Sequence, residues 1–234
     1  MNRRAAGIFG FDDSRIGAPL SSVTGVAIGR KLAAVKLYDF ELSGNAYKVR
    51  LMLALTGTPH ETQRVDLFNG ENRKPDFLRL NPRGQVPVLT DGGFTVWDSQ
   101  AILVYLARRY AGDGWLPPDP TCMADIMQWL AVSENEVQYG LGRARVIMKF
   151  KLPGELEAAQ KSGRSILAVM EQHLATREWL TCGRPTIADV ACYPYVALAP
   201  EGGVELAPFP AVRAWVARMQ KLPGYVGMPG IAAA

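Results

Sequence analysis

Hydrophobic and polar positions change period several times along this chain. Residues 34–40, AVKLYDF, are a β-branched and aromatic run closed by the turn former SGN, and they predict a first strand. From Asn45 to Leu55 the apolar positions Ala46, Val49, Met52 and Leu53 recur at helical spacing, and Gly57 marks the stop. HETQRVDL (60–67) alternates as a second strand. GENRKPDFLRLNP (70–82) is polar, with one short helical turn over 75–80. PVLT and FTVW about DGG predict a hairpin, and residues 99–110 put Ile102, Leu103, Leu106 and Tyr110 on one helical face. The order β-α-β, loop-helix, β-β-α implies a parallel, right-handed first crossover, an antiparallel hairpin and a small mixed sheet covered by helices.

Half of residues 111–120, AGDGWLPPDP, are Gly or Pro, which marks a linker. Beyond it only helical patterns follow: 121–137, 156–174, 186–198 and 210–220. PTIADV opens the third of these with a capping box, in which the Thr186 hydroxyl and the Asp189 carboxylate satisfy each other's main-chain N–H. Each is expected to contribute about 1 kcal/mol through capping. The fold class is therefore an α/β domain followed by an all-α domain. The expected boundaries are an extension over 1–34, the α/β domain over 35–111, the linker over 112–120, the helical domain over 121–226 and a tail over 227–234.

Composition narrows the function. Hydrophobic residues make up 48% of 234 positions and the net charge is +4. Residues 1–34 hold five cations against two anions, a net of +3, so the body has no basic footprint for nucleic acid. That segment is rich in Gly, Ser and Ala without periodicity, and Asp12 and Asp13 argue against a targeting peptide; it reads as a disordered extension. No apolar run reaches the roughly 18 residues of a membrane span, and the richest, IADVACYPYVALAP, is broken by Asp189, Pro194 and Pro200. Cys122, Cys182 and Cys192 are odd in number and form no CxxC pair. With only His60 and His173 beside them, no metal site is expected. A reduced, cytoplasmic setting fits, with all three cysteines as small buried hydrophobes.

Candidate chemistry gathers on three loops of the first domain. Ser43, Gly44 and Asn45 open the first helix, Gln85, Val86 and Pro87 precede the third strand, and Asp98 and Ser99 open the third helix. Proline cannot donate to a ladder. A cis Pro87 would leave the N–H and C=O of Val86 free for a peptide-like ligand. Two of the loops are helix N-termini, where unpaired N–H groups favour an anion.

LNPRGQVPVL, DSQAILVYLARRY and PTIADVACYPYV, in that order and spacing, resemble the cytosolic glutathione transferase superfamily over about residues 35–226. The resemblance implies a thioredoxin-like first domain, glutathione as co-substrate with no bound cofactor, a small electrophile as second substrate, and a homodimer active in detoxification. It places the Val86 main chain on the cysteinyl part of glutathione, with Pro87 as the cis proline. Asp98 and Ser99 fall on the γ-glutamyl group, and Gln85 is similar to polar residues before that valine. Asn72 falls where many bacterial relatives carry a histidine toward the glycyl carboxylate, with Arg73 beside it.

The catalytic position has no tyrosine of the alpha, mu or pi kind. LYDFELSGNAYKVR resembles the serine-type loop of zeta-class enzymes at Ser43, and nu-class loops in which threonine and asparagine take the positions of Ser43 and Asn45. Both residues are candidates, and both are also ordinary helix caps. A glutathione thiol with a pKa near 8.5 is only a few per cent thiolate at pH 7. One hydrogen bond to the thiolate, roughly 1.5–3 kcal/mol, moves that pKa by about one to two units. Glutathione-dependent disulfide or peroxide reduction, zeta-like isomerisation and non-catalytic glutathione binding are the alternatives on the same loops. His173, Trp129, Trp179 and Trp215 read as packing residues, and Arg143 and Arg145 as a solvated helical face, with the electrophile side of the cleft as their alternative place.

Overall fold

The structure, a computed structural model, describes residues 35–233. The expected extension over 1–34 lies outside the described residues, as does Ala234. The elements run β1 (Val35–Asp39), α1 (Gly44–Leu55), β2 (His60–Arg64), α2 (Pro75–Leu80), β3 (Val88–Asp91), β4 (Phe94–Trp97) and α3 (Ser99–Tyr110). The helical half follows as α4 (Pro120–Val132), a π-helical segment (Ser133–Gly142), α5 (Arg143–Phe150), α6 (Leu156–Leu174), α7 (Ile187–Ala197) and α8 (Pro210–Gln220). The sheet order is β2-β1-β3-β4. β1 and β2 are parallel from Val35↔His60 to Asp39↔Arg64, while β1–β3 and β3–β4 are antiparallel.

Each helix start has a local cause. Ser43, Asp98 and Asp119 accept N–H groups from the first turns of α1, α3 and α4 through their side chains, and Pro opens α2, α4 and α8. β2 departs from the expected alternation. All five of its residues are exposed, and only Val65, just past its end, turns inward. It is one of the two edge strands, held by backbone pairing to β1 and rich in charge and polarity, as exposed edges are.

A small cluster of Phe40, Ala46, Val65, Phe77, Val86 and Val88 fills one side of the sheet. The main core is continuous from Leu37 through Tyr47, Leu51 and Leu103 to Val190, Trp215 and Met228, so one apolar interior serves both halves. The linker takes part in it. Leu116 is buried, and the Trp115 carbonyl accepts the Ile187 N–H at 3.0 Å. The segment after α8 packs back on the core: Met228 is buried and the Val226 carbonyl accepts the Tyr47 hydroxyl at 2.6 Å.

Two expectations from the helical half need correction. Asp189 does more than cap. It is fully buried, and its carboxylate accepts from Leu180 N–H (3.0 Å), Trp215 Nε1 (2.9 Å) and Thr186 N–H (2.9 Å). Burial raises its pKa to about 6 against these donors. The Thr186 hydroxyl accepts from Ala188 N–H at 3.2 Å. Nor are the cysteines three buried thiols. Cys122 in the first turn of α4 and Cys182 before α7 are half-buried and joined by a disulfide, with Cα atoms 5.7 Å apart across 60 residues of sequence. Cys192 alone is free and buried, which pushes its thiol up to about 12. Spacing in sequence carried no sign of the pair, because the α6–α7 loop brings it together.

Asp189→Ala strands three buried donors and is expected to cost about 3–5 kcal/mol, against about 1 kcal/mol for Thr186→Ala. Urea unfolding of the two variants measures the difference, and equal losses would return Asp189 to a simple cap. Opening the Cys122–Cys182 bridge frees a 60-residue loop and is expected to lower Tm by roughly 8–16 °C, from about 4 kcal/mol of loop entropy. Melting with and without a phosphine reductant reads this, and a Cys122→Ser/Cys182→Ser variant should no longer respond.

Candidate functional site

The first turn of α1 stands between a polar cleft and an apolar cavity. The cleft, about 220 Å³, is lined by Asn45, Gln85, Val86, Pro87, Asp98 and Ser99 from the α/β half, and by Glu134, Gln138, Tyr139 and Arg143 from the helical half. The cavity, about 490 Å³, is lined by Ser43 and Gly44 and walled by Phe40, Leu42, Leu67, Phe68, Phe150 and Leu152, with Arg145 and Tyr195. Val146 belongs to both.

The cleft is shaped by side-chain-to-backbone bonds. Asn81, buried, donates to the Gln85 carbonyl at 2.7 Å and accepts the Arg83 N–H at 3.0 Å, which folds the loop ahead of β3. The Val86–Pro87 bond is cis. The β1–β3 ladder ends at Tyr38↔Val88, so the Val86 main chain is left outside it and lines the cleft. Asp98 has φ 76°, a left-handed conformation that non-glycine residues hold only where the surroundings impose it. Its Oδ1 accepts from Gln100 N–H (3.0 Å) and Ala101 N–H (3.4 Å), while Oδ2 lies 3.7 Å from Arg83 Nη1.

Ser43 is the N-cap of α1, and its Oγ accepts the Ala46 N–H at 3.2 Å. That bond uses the oxygen and leaves the hydroxyl proton to donate elsewhere. Asn45 Oδ1 is buried with no hydrogen-bond partner among the described residues. The Tyr195 ring lies against the start of α1. A Cβ on Gly44 would come within 2.6 Å of it, so this position tolerates only glycine without a shift. Burial raises the Tyr195 hydroxyl to about 12, so it stays protonated at neutral pH.

Seven of the nine sequence candidates line these two cavities: Ser43, Asn45, Gln85, Val86, Pro87, Asp98 and Ser99. Asn72 and Arg73 line neither. The Asn72 amide donates to the Gly84 carbonyl at 2.6 Å, and Arg73 Nη1 donates to the Arg83 carbonyl at 3.4 Å, so both brace the loop from behind. Tyr38 packs edge-on against Phe77 instead of facing the cleft. Arg145 is not on a solvated face. It is buried, bonded to Glu201 Oε2 at 2.6 Å and to the Leu42 carbonyl at 2.9 Å.

Glu134, Gln138 and Tyr139 were missed, although Glu134 and Gln138 stand four apart in ENEVQYGLG. Their delivery depends on the π-helical turn between α4 and α5, a local widening common at functional sites and invisible to a 3.6-residue period.

Family models place this architecture. Residues 42–109 match the glutathione S-transferase N-terminal domain and residues 153–218 match the glutathione S-transferase C-terminal domain. The chain belongs to the glutathione S-transferase family. It is 34% identical over 196 residues to glutathione S-transferase 3 of Zea mays, covering 79% of this chain and 88% of that protein. It is also 34% identical over 187 residues to a maleylacetoacetate isomerase of Pseudomonas aeruginosa, covering 76% and 88%. A solved glutathione S-transferase from Pseudomonas fluorescens superimposes with a TM-score of 0.80 at 35% identity, covering 84% of this chain and all of that one. Family membership accounts for the two-part architecture, an α/β half followed by a helical half.

Proposed function

We propose that this glutathione S-transferase binds glutathione in the polar cleft and activates its thiol with the Ser43 hydroxyl. The thiolate then attacks an electrophile seated in the apolar cavity. The observation that carries this reading is the placement of Ser43 and Asn45. One lines the apolar cavity and the other the polar cleft, so the cap of α1 is where a peptide-like ligand ends and an apolar substrate begins. Its unpaired N–H groups and the helix dipole favour negative charge at that point.

Within the cleft, the free Val86 main chain suits the cysteinyl backbone, with Gln85 beside it, and Asp98 and Ser99 suit the γ-glutamyl group. Arg83 and Arg143 add positive charge for carboxylates. The bracing roles of Asn72 and Arg73 make them indirect contributors. Ser43 is preferred to Asn45 for the thiolate, because its hydroxyl lines the apolar cavity where the electrophile would sit. The walls of Phe40, Phe68 and Phe150 fit a small apolar electrophile, consistent with detoxification.

A second reading, glutathione-dependent isomerisation, draws support from the similarity to the maleylacetoacetate isomerase and would begin from the same activated thiol. Phe94, Trp97 and Met127 are large apolar side chains left exposed on β4 and α4, which suits burial against a second copy as a homodimer. No described helix is long and apolar enough to cross a membrane; a cytoplasmic setting is part of the proposal, in which the Cys122–Cys182 pair would be held reduced.

Ser43→Ala is expected to raise the bound thiol's pKa by about one to two units. The sign follows from losing a donor to the anion: less thiolate at neutral pH, hence about a 10- to 100-fold fall in turnover, partly recovered as pH rises. Glutathione affinity should hardly change. Thiolate absorbance of the bound ligand against pH, in wild type, Ser43→Ala and Asn45→Ala, decides the matter. An unshifted Ser43→Ala titration beside a shifted Asn45→Ala one would transfer the role to Asn45.

A further inference from the structure

The Cys122–Cys182 bridge borders a third cavity. This one, about 630 Å³, lies between α4, α6 and the loop into α7, and shares no residue with the polar cleft or the apolar cavity. Cys182 is part of its lining, and the half-buried indoles of Trp129 and Trp179 give it apolar surface. Three exposed charged residues also line it, Arg177 against Asp125 and Glu178. Cys122 does not line the cavity. One half of the bridge therefore borders a ligand-sized space and the other does not.

The pair is furnished to exist open as well as closed. Cys182 holds φ 56° and Gly183 after it φ 63°. A non-glycine residue keeps the left-handed conformation only where its surroundings impose it, and the bond to Cys122 is one such restraint. Opening the bridge releases it. The open form also has partners. Cys182 Sγ lies 3.7 Å from the Cys122 carbonyl, an acceptor for a thiol, and 3.4 Å from the Thr181 hydroxyl, a donor to a thiolate. In a reducing compartment a disulfide that forms at all is transient, and either catalytic or redox-sensing. The glutathione and cytoplasmic readings above put the protein in such a compartment, beside the glutathione couple.

We propose that Cys122 and Cys182 form a thiol–disulfide exchange site for glutathione disulfide, separate from the site at α1. The inference rests on the two readings above for its choice of oxidant. The Cys182 thiolate attacks one sulfur of glutathione disulfide, the S–S bond breaks, and one glutathione leaves as a thiolate that takes a proton from water. The Cys122 thiolate then attacks Cys182 Sγ, closes the bridge and expels the second glutathione. Two protein thiols are oxidised and one glutathione disulfide is reduced, with no further reactant. Cys182 takes the first step because it alone of the two lines the cavity. The mixed charges there suit a zwitterionic peptide, Arg177 for its carboxylates and Asp125 and Glu178 for its ammonium groups. The bridge so formed secures the loop carrying Leu180, whose N–H holds Asp189 at the start of α7.

The test equilibrates the full chain in buffers of reduced and oxidised glutathione at stepped ratios, quenches with an alkylating agent and counts free thiols by mass spectrometry. Cys122 and Cys182 are expected to pass together from two thiols to a bridge within the series, as exchangeable pairs do and structural disulfides do not. Cys122→Ser is expected to trap a glutathionyl group on Cys182, because nothing remains to expel it. A bridge closed at every ratio, a pair open at every ratio, or no adduct on Cys122→Ser overturns the exchange. An equally fast adduct on Cys122 in Cys182→Ser overturns the order of the steps. Arg177→Ala should slow closure by glutathione disulfide roughly fivefold, as an exposed ion pair supplies, and leave closure by bis(2-hydroxyethyl) disulfide within about twofold. Equal slowing with both disulfides, or with neither, overturns the cavity as the recognition element. Calorimetric titration of the Cys122→Ser/Cys182→Ser variant with reduced glutathione reads the cleft alone, so failure of the glutathione reading and failure of this exchange are told apart.

Discussion

Helix α1 has no solvent face along most of its length, and the site follows from that constraint. Gly44, Ala46, Tyr47, Lys48, Val49, Leu51, Met52 and Leu53 are all buried, because the sheet lies on one side and the helical half on the other. A helix placed this way must satisfy any polar group it carries from within the protein. Its lysine, Lys48, therefore draws the Glu134 carboxylate from the π-helical segment, and its N-terminus opens where the two halves part. The polar cleft and the apolar cavity are the two sides of that opening.

Sharing one interior also distributes the cost of assembling the site. The main core runs unbroken from β1 to the segment after α8, so neither half buries its apolar surface alone. Asp189 braces α7 through the Leu180 main chain and the Trp215 indole, and α7 supplies both Tyr195 against Gly44 and the Ala191 carbonyl under Ser133. A carboxylate recognised from its capping motif thus acts, through packing, on the geometry around a distant helix start. The Cys122–Cys182 bridge secures the loop that leads into the same helix.

Much of this was legible along the chain. Periodicity located α2, α3, α6 and α8 at their observed bounds and the strands within a few residues, since each has a strong local pattern and a turn or cap at its end. The three loops that line the candidate cleft and cavity were equally legible as loops, because a proline ahead of a strand and Ser, Asn or Asp ahead of a helix have few structural meanings. Where reading failed, the cause was non-local. Arg145 in a helical run reads as solvated until Glu201 and the Leu42 carbonyl meet it from elsewhere in the fold.

By itself, then, the amino-acid order determined the elements, their sequence, the split between a mixed α/β half and a helical half, and the cluster of polar residues at three loop ends. These are consequences of short-range sterics, capping and hydrophobic period, which act within a few residues. Tertiary structure alone decided which side chains line the candidate site. It brought Glu134 and Asp98 to one cleft, set Tyr195 against the start of α1, joined Cys122 to Cys182 across 60 residues, and tied Asn72 and Arg73 to the carbonyls of Gly84 and Arg83. The reason is that burial and the satisfaction of buried polar groups depend on what covers a residue, and the covering chain lies far away in sequence.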